Sequence, residues 1–210
     1  MNDVADGALT PERILEAAED VLRRFGPSKA TVVDVARALG VSHGSVYRHF
    51  PSKAALRDAV LERWLQRITA PLEAVVRGRE PAPERLRIWL ERLTASKRRR
   101  ALNEAALFAT YGILAADARA VVTAHVDALV DQIARILADG IRSGAFTVED
   151  ARSTARAVFD ATARFHNPAH ASEWADPGID RAFEGVWSLL LAALTAGARP
   201  PLVTARGRRE

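Results

Sequence analysis

Cysteine is absent from the 210 residues, which excludes disulfides, thiolate catalysis and cysteine-based zinc fingers. Lysine is scarce: only Lys29, Lys53 and Lys97 occur, so the positive charge is almost all arginine. With 30 basic against 26 acidic residues, the formal charge of +4 agrees with an anionic partner without establishing one. No apolar run is long enough to span a bilayer; the most apolar, VWSLLLAALTAGA at 186–198, has the length of a buried helix. The N-terminus lacks a basic region followed by an apolar core, so no secretory signal is read there and the cytoplasm is the expected compartment. Also missing are H-x-x-x-H with a helical glutamate, G-x-S-x-G and a glycine-rich phosphate loop. An enzyme is therefore not expected, and no cofactor is implied.

Apolar residues form 49% of the chain and charged residues 27%, enough for a folded core. Helical spacing dominates, with no strand alternation and no internal repeat, so the expected fold is all-α. Thr10, Pro11 and Glu12 start a helix whose apolar residues run from Ile14 to Phe25, until Gly26-Pro27. Thr31 and Asp34 form a T-x-x-D cap before Val32, Val35, Ala36 and Leu39, and Gly40 ends that helix. Ser42 caps a third helix, with Val46 and Phe50 facing inward, and Ser52 caps a fourth that Pro71 closes. Residues 77–84 read as a linker. Further helices are expected from Pro83, over about 117–139, from Thr147 to about Phe165, and from Pro177 to about Ala196, with Gly140 and Gly144 marking the end of the long one. The division is a helix-turn-helix unit over 1–56, a connecting helix to about 75, a larger helical region over 76–199 and a flexible tail over 200–210.

Two short helices joined by a tight corner, the second polar and partly aromatic, are a common device for reading the DNA major groove. The outward candidates on the third helix are His43, Gly44, Ser45, Tyr47, Arg48 and His49, with the cap Ser42 beside them. Gly44 removes a side chain where backbone can approach phosphate, and His43 and Ser45 sit at the end that reaches base edges. Thr31 and Lys53 flank the unit as phosphate contacts, and Arg37 and Arg48 are further candidates. The competing reading makes Tyr47 core packing and Ser42 and Ser52 caps alone.

The run T-x-x-D-V-A-x-x-L-G-V-S-x-G-S-V-Y-x-H-F-x-x-K-x-x-L resembles the signature of the TetR family of bacterial transcriptional regulators. It matches at Thr31, Asp34, Ala36, Gly40, Val41, Ser42, Gly44, Tyr47, His49, Phe50, Lys53 and Leu56. The resemblance implies a homodimer whose two recognition helices enter successive major grooves of a palindromic, double-stranded operator. It implies backbone contacts from Thr31, Tyr47, His49 and Lys53, and operator specificity at His43 and Ser45. It also implies a small-molecule cavity in the larger region. Candidate lining residues are Trp89, Leu93, Phe108, Tyr111, His125, Leu129 and Phe159, with ordinary core as the alternative for each. Such a cavity suits an apolar or aromatic effector.

Apolar residues on the last two helices exceed what one side of a small bundle needs. Ile179, Phe183, Val186, Trp187, Leu190 and Leu194 are therefore dimer-interface candidates, with Trp187 as anchor. The stretch from Lys97 to Tyr111 is the expected lever between effector and DNA, its four basic residues staying solvated. His166, His170 and Glu173 invite a metal reading, but Pro168 lies between the histidines and no metal is assigned; His166 is instead expected to cap a helix end. The expected function is a ligand-released repressor. Alternatives are an activator or effector-independent regulator and, further off, a helical enzyme or interaction module.

Overall fold

Eleven α-helices and two 3₁₀ turns make up residues 8–196, the part of the chain that this computed structural model describes. The tail expected over 200–210 lies outside the described residues, as do residues 1–7.

Polar caps start the first four helices. The Thr10 hydroxyl accepts the Arg13 amide at the start of α1 (Pro11–Lys29). Thr31 and Asp34 close a full capping box before α2 (Val32–Leu39), and Gly40 then turns the chain at φ +69°. Ser42 caps α3 (His43–His49) and Ser52 caps α4 (Lys53–Thr69). Gly26, at φ +74°, kinks α1 where its regular run was expected to end, and one further turn follows. Ile14, Val46 and Val60 lie at the centre of this group, each with no exposed surface. Phe50 is half-buried against the same core.

A 3₁₀ turn (Ala70–Leu72) and α5 (Glu73–Val76) lead to α6 (Ala82–Asn103), α7 (Ala105–Asp117) and α8 (Arg119–Arg142). The chain bends by 106° between α7 and α8, and among the described residues no single helix is long and apolar enough to cross a membrane. Then come α9 (Ala151–Ala161), α10 (Ala163–His166), a second 3₁₀ turn (Pro168–Glu173) and α11 (Ile179–Thr195). The expected single helix from Thr147 to Phe165 starts later and is split. Asp150 is the stronger cap, accepting the amides of Arg152 and Ser153, and the Thr162 hydroxyl bonds the carbonyl of Val158 at the break.

The lower core is pinned by polar groups. Trp89 Nε1 donates to Gln132 Oε1 at 2.9 Å, and Gln132 Nε2 donates to the Thr69 carbonyl at 3.1 Å, joining α6, α8 and the end of α4. Arg85 donates to the Val76 carbonyl and to Asp139.

Gly140 was expected to end the long helix, but it lies inside α8, and Gly144 at φ +75° follows the end. A Cβ at Gly140 would stand 2.1 Å from the Phe146 ring, which is itself buried. Gly140→Ala should therefore destabilise by about 1–3 kcal/mol, the usual cost of overpacking. Urea unfolding of the pair measures this, and equal midpoints would contradict the close approach.

Candidate nucleic-acid interface and effector cavity

The outer face of α3 is free of the core. His43, Gly44, Tyr47, Arg48 and His49 are exposed, Ser42, Lys53, Thr31 and Arg37 are exposed beside them, and Ser45 is half-buried. Tyr47 is 41% exposed and meets the His43 ring edge-on, which sets aside the reading of Tyr47 as core. Ser42 Oγ accepts the Ser45 amide and lies 2.9 Å from Ser45 Oγ, which also accepts from Arg48 at 3.1 Å. Ser45 is thereby held in one orientation. Thr31 spends its hydroxyl on Asp34, and that hydrogen bond, with Arg37 adding to it, holds the Asp34 carboxyl below its usual range. A Cβ at Gly44 would meet only Ser42 Oγ, at an ordinary 3.8 Å, and its φ is not positive. Nothing inside the chain requires glycine there.

A cavity of about 270 Å³ lies among α4, α6, α7, α8, α9 and α10. Phe108, Tyr111, His125, Leu129 and Phe159 line it, as the sequence suggested; Trp89 and Leu93 do not. Those two are fully buried one turn or more from Lys97, in the core of α6, and Trp89 is committed to Gln132. Trp64 of α4 was missed. Its ring stacks on Tyr111 with centroids 4.4 Å apart and 13° between planes, while Phe108 meets Trp64 and Trp174 edge-on.

Lys97 was also missed, and its expected solvation is wrong. It is 5% exposed and lines the cavity, while Arg99 alone of the four basic residues is exposed. The reason is register: Leu86, Leu90, Leu93 and Lys97 follow one another at spacings of four, three and four, with Trp89 beside them, so the lysine ends the buried stripe of α6. That signal was in the sequence. Arg98 donates to the Trp174 carbonyl and Asp180, and Arg100 lies over the Trp64 ring.

Burial drives the charges in the cavity toward neutrality. It lowers the Lys97 ammonium to about 8, with Arg100 adding to the shift. Burial first, then the Lys97 charge, lowers His125 to about 3. Burial likewise lowers His166 to about 4, against a hydrogen bond to the Phe159 carbonyl that favours the charged form. That carbonyl lies in the last turn of α9, so His166 bonds near a helix end. His170 pairs with Glu173 at 2.8 Å rather than with His166. Tyr111 is pushed up to about 12 by burial and by Glu19.

The cavity wall touches the N-terminal helices. Glu19 of α1 is buried and accepts from Arg67 of α4 at 2.5 Å, while Arg63 reaches Glu16 and the Glu12 carbonyl at 3.0 Å. The charges of Glu19 and Arg67 both act on the Tyr111 hydroxyl.

On α11, four of the six interface candidates, Ile179, Phe183, Trp187 and Leu194, are buried within the chain itself. Phe183 meets Phe165 edge-on and Trp187 lies under the Arg87 guanidinium, so the stripe serves the internal core. Val186 and Leu190 are half-buried. The exposed face carries Gly185, Ser188, Leu189, Ala192 and Ala193, with Leu189 74% exposed.

Comparison with known proteins agrees with this geometry. Residues 14–60 match the family described as bacterial regulatory proteins, tetR family, and residues 82–187 match the tetracyclin repressor-like C-terminal domain. Over 81 residues the chain is 32% identical to the nucleoid occlusion factor SlmA of Vibrio atlanticus, covering 38% of this chain and 41% of that one. Over 53 residues it is 40% identical to the HTH-type transcriptional regulator TtgR of Pseudomonas putida, 25% of each. It thus spans less than half the length of these curated relatives. Two solved structures share the fold. RolR in complex with resorcinol has a TM-score of 0.59 at 19% identity, covering 92% of this chain and 96% of that one. SmeT, the repressor of the Stenotrophomonas maltophilia multidrug efflux pump SmeDEF, has a TM-score of 0.62 at 21% identity, covering 88% and 90%.

The depressed histidines set the acid response. Between the unfolded value of 6.5 and the folded values, the unfolded chain binds protons that His125 and His166 refuse, so stability falls as pH drops. The loss from pH 7 to pH 5 should be about 2–4 kcal/mol, in a window where carboxylates stay ionised. Urea unfolding at the two pH values checks it, and equal stabilities would mean the histidines are not buried neutral.

Proposed function

Because the chain belongs to the TetR family of bacterial transcriptional regulators, we propose that it acts in the cytoplasm as a dimeric repressor of a palindromic operator, released by a small apolar or aromatic effector. The DNA half of this reading is carried by Gly44, a glycine on an exposed helix start that no neighbour in the chain demands. A phosphate backbone against the N-terminus of α3 is an external surface that would favour a residue without a side chain there. His43 and Ser45 would read base edges; Tyr47, His49, Lys53 and Thr31 would hold the backbone, with Arg37 and Arg48 adding charge.

The dimer is proposed to form through the exposed face of α11, centred on Leu189 and flanked by Gly185, Ala192 and Ala193. Small residues there allow two copies of the helix to approach closely. Release would follow from the shared wall. A ligand that moves the Trp64–Tyr111 stack acts on α4, and through Arg67 and Glu19 on α1, so it can favour a separation of the two recognition helices that the operator rejects.

Two variants test the two halves. Gly44→Ala should keep or raise stability by up to about 1 kcal/mol, as alanine suits a helix better, yet weaken binding to a palindrome selected from randomised duplexes by about tenfold or more. Unchanged DNA affinity would remove α3 from the interface. Leu189→Arg should stay folded, because the side chain is already exposed, but sediment as a monomer at micromolar concentration. A dimer of undiminished affinity would put the interface on another face.

A further inference from the structure

The cavity holds one positive charge that nothing among the described residues answers. Lys97 has no hydrogen bond or ion pair with any described residue, although it is almost completely buried. Close by, His125 Nε2 is buried without a partner, while its Nδ1 bonds Thr69 Oγ1 at 3.0 Å. The Thr69 hydroxyl also reaches the Leu65 carbonyl, so by rotating it can give or take the bond to Nδ1, and the free nitrogen can serve as donor or acceptor. Buried polar groups are ordinarily satisfied, and an isolated buried cation is costly. Lys97 and His125 both line one apolar, aromatic-walled space, so their unanswered nitrogens describe a complementary molecule.

We infer that the cavity takes an apolar monocarboxylate, whose oxygens are held by the Lys97 ammonium and His125 Nε2 and whose body lies against Trp64, Phe108, Tyr111 and Phe159. This rests on the effector reading above and sharpens it, from an apolar molecule to an apolar anion. The cavity is just below the usual range of about 300–1,000 Å³ for ligand sites, so the body is a fused ring pair or a short chain. The other charges facing Lys97 do not do the same work. Arg100 repels the same cation, and Arg156 and Asp160 on α9 are paired with each other at 3.0 Å. The α4 wall supplies Leu61, Trp64 and Leu65, with no charge.

Titration calorimetry of the full chain at pH 7 tests this with 2-naphthoate, octanoate and the two corresponding amides. Each carboxylate should bind about 10- to 100-fold more tightly than its amide, the ratio expected of a charged hydrogen bond. A stronger naphthoate than octanoate identifies an aromatic ligand, and the reverse an acyl one. Lys97→Met should bring carboxylate affinity down to the amide level, leave amide binding nearly unchanged and raise Tm, since it removes a buried unpaired charge. A wild-type measurement stands beside it in case the variant fails to fold. Raising the pH from 7 to 9.5 should weaken carboxylate binding, because the ammonium is lost above about 8, and leave amide binding flat. His125 and His166 are already neutral there and Tyr111 stays protonated, so no other shifted group facing the cavity titrates in that window. Equal affinities for acid and amide, indifferent to Lys97 and to pH, would overturn the charge selection while sparing the cavity as an apolar site. Binding of none of the four probes would overturn both.

Discussion

The stack of Trp64 on Tyr111, with centroids 4.4 Å apart, is the contact on which the rest of the structure depends. Trp64 belongs to α4, whose other side packs on α1 through Arg63 and Arg67, and Tyr111 belongs to α7, which lines the cavity. One pair of rings is thus part of the cavity wall and part of the attachment of α4 to the rest of the chain. Closely packed interiors do not deform smoothly, so a molecule entering that wall would shift helices as units. Glu19, buried on α1, holds the half-exposed Arg67 of α4, and separating the two would leave the Glu19 charge unpaired by it in the core.

The cavity is held at some cost to stability. Lys97, His125 and His166 are polar groups placed where leucine or phenylalanine would pack without penalty, and each is driven toward its neutral form by burial. Of these, the Lys97 ammonium and His125 Nε2 have no partner among the described residues, which makes sense where a partner arrives from outside. The same reasoning applies to Gly44, an exposed helical glycine that no internal contact needs. In both places the chain departs from local optimality, and both departures face open space.

The caps at Thr10, Thr31, Ser42 and Ser52 were legible because capping is local: a hydroxyl and an amide three residues on decide it. The recognition-helix face was legible for the same reason, since seven residues of helix leave few ways to orient Val46 inward. The larger region was harder. Trp89 and Leu93 share the stripe of α6 with Lys97, and periodicity alone cannot say which of its members meets a cavity and which meets Gln132. Lys97 was misjudged by reading a basic run as a solvated face, though its spacing from Leu93 contradicted that. On α11 four of the six bulky interface candidates, Ile179, Phe183, Trp187 and Leu194, are core, and the less conspicuous Leu189 face is exposed. Size marks what is buried, but not against which chain.

In the proposed switch the cavity and the outer face of α3 bias one two-state element through α4, and linkage makes this reciprocal. The most direct measurement is calorimetry of a cavity ligand, 2-naphthoate, with the dimer alone and with saturating operator duplex. The operator should weaken ligand binding by the same factor by which the ligand weakens operator binding, roughly 5- to 150-fold for couplings of ordinary size. Ligand affinity identical with and without operator would contradict the account, leaving a DNA-binding face and a cavity in one chain with no communication between them.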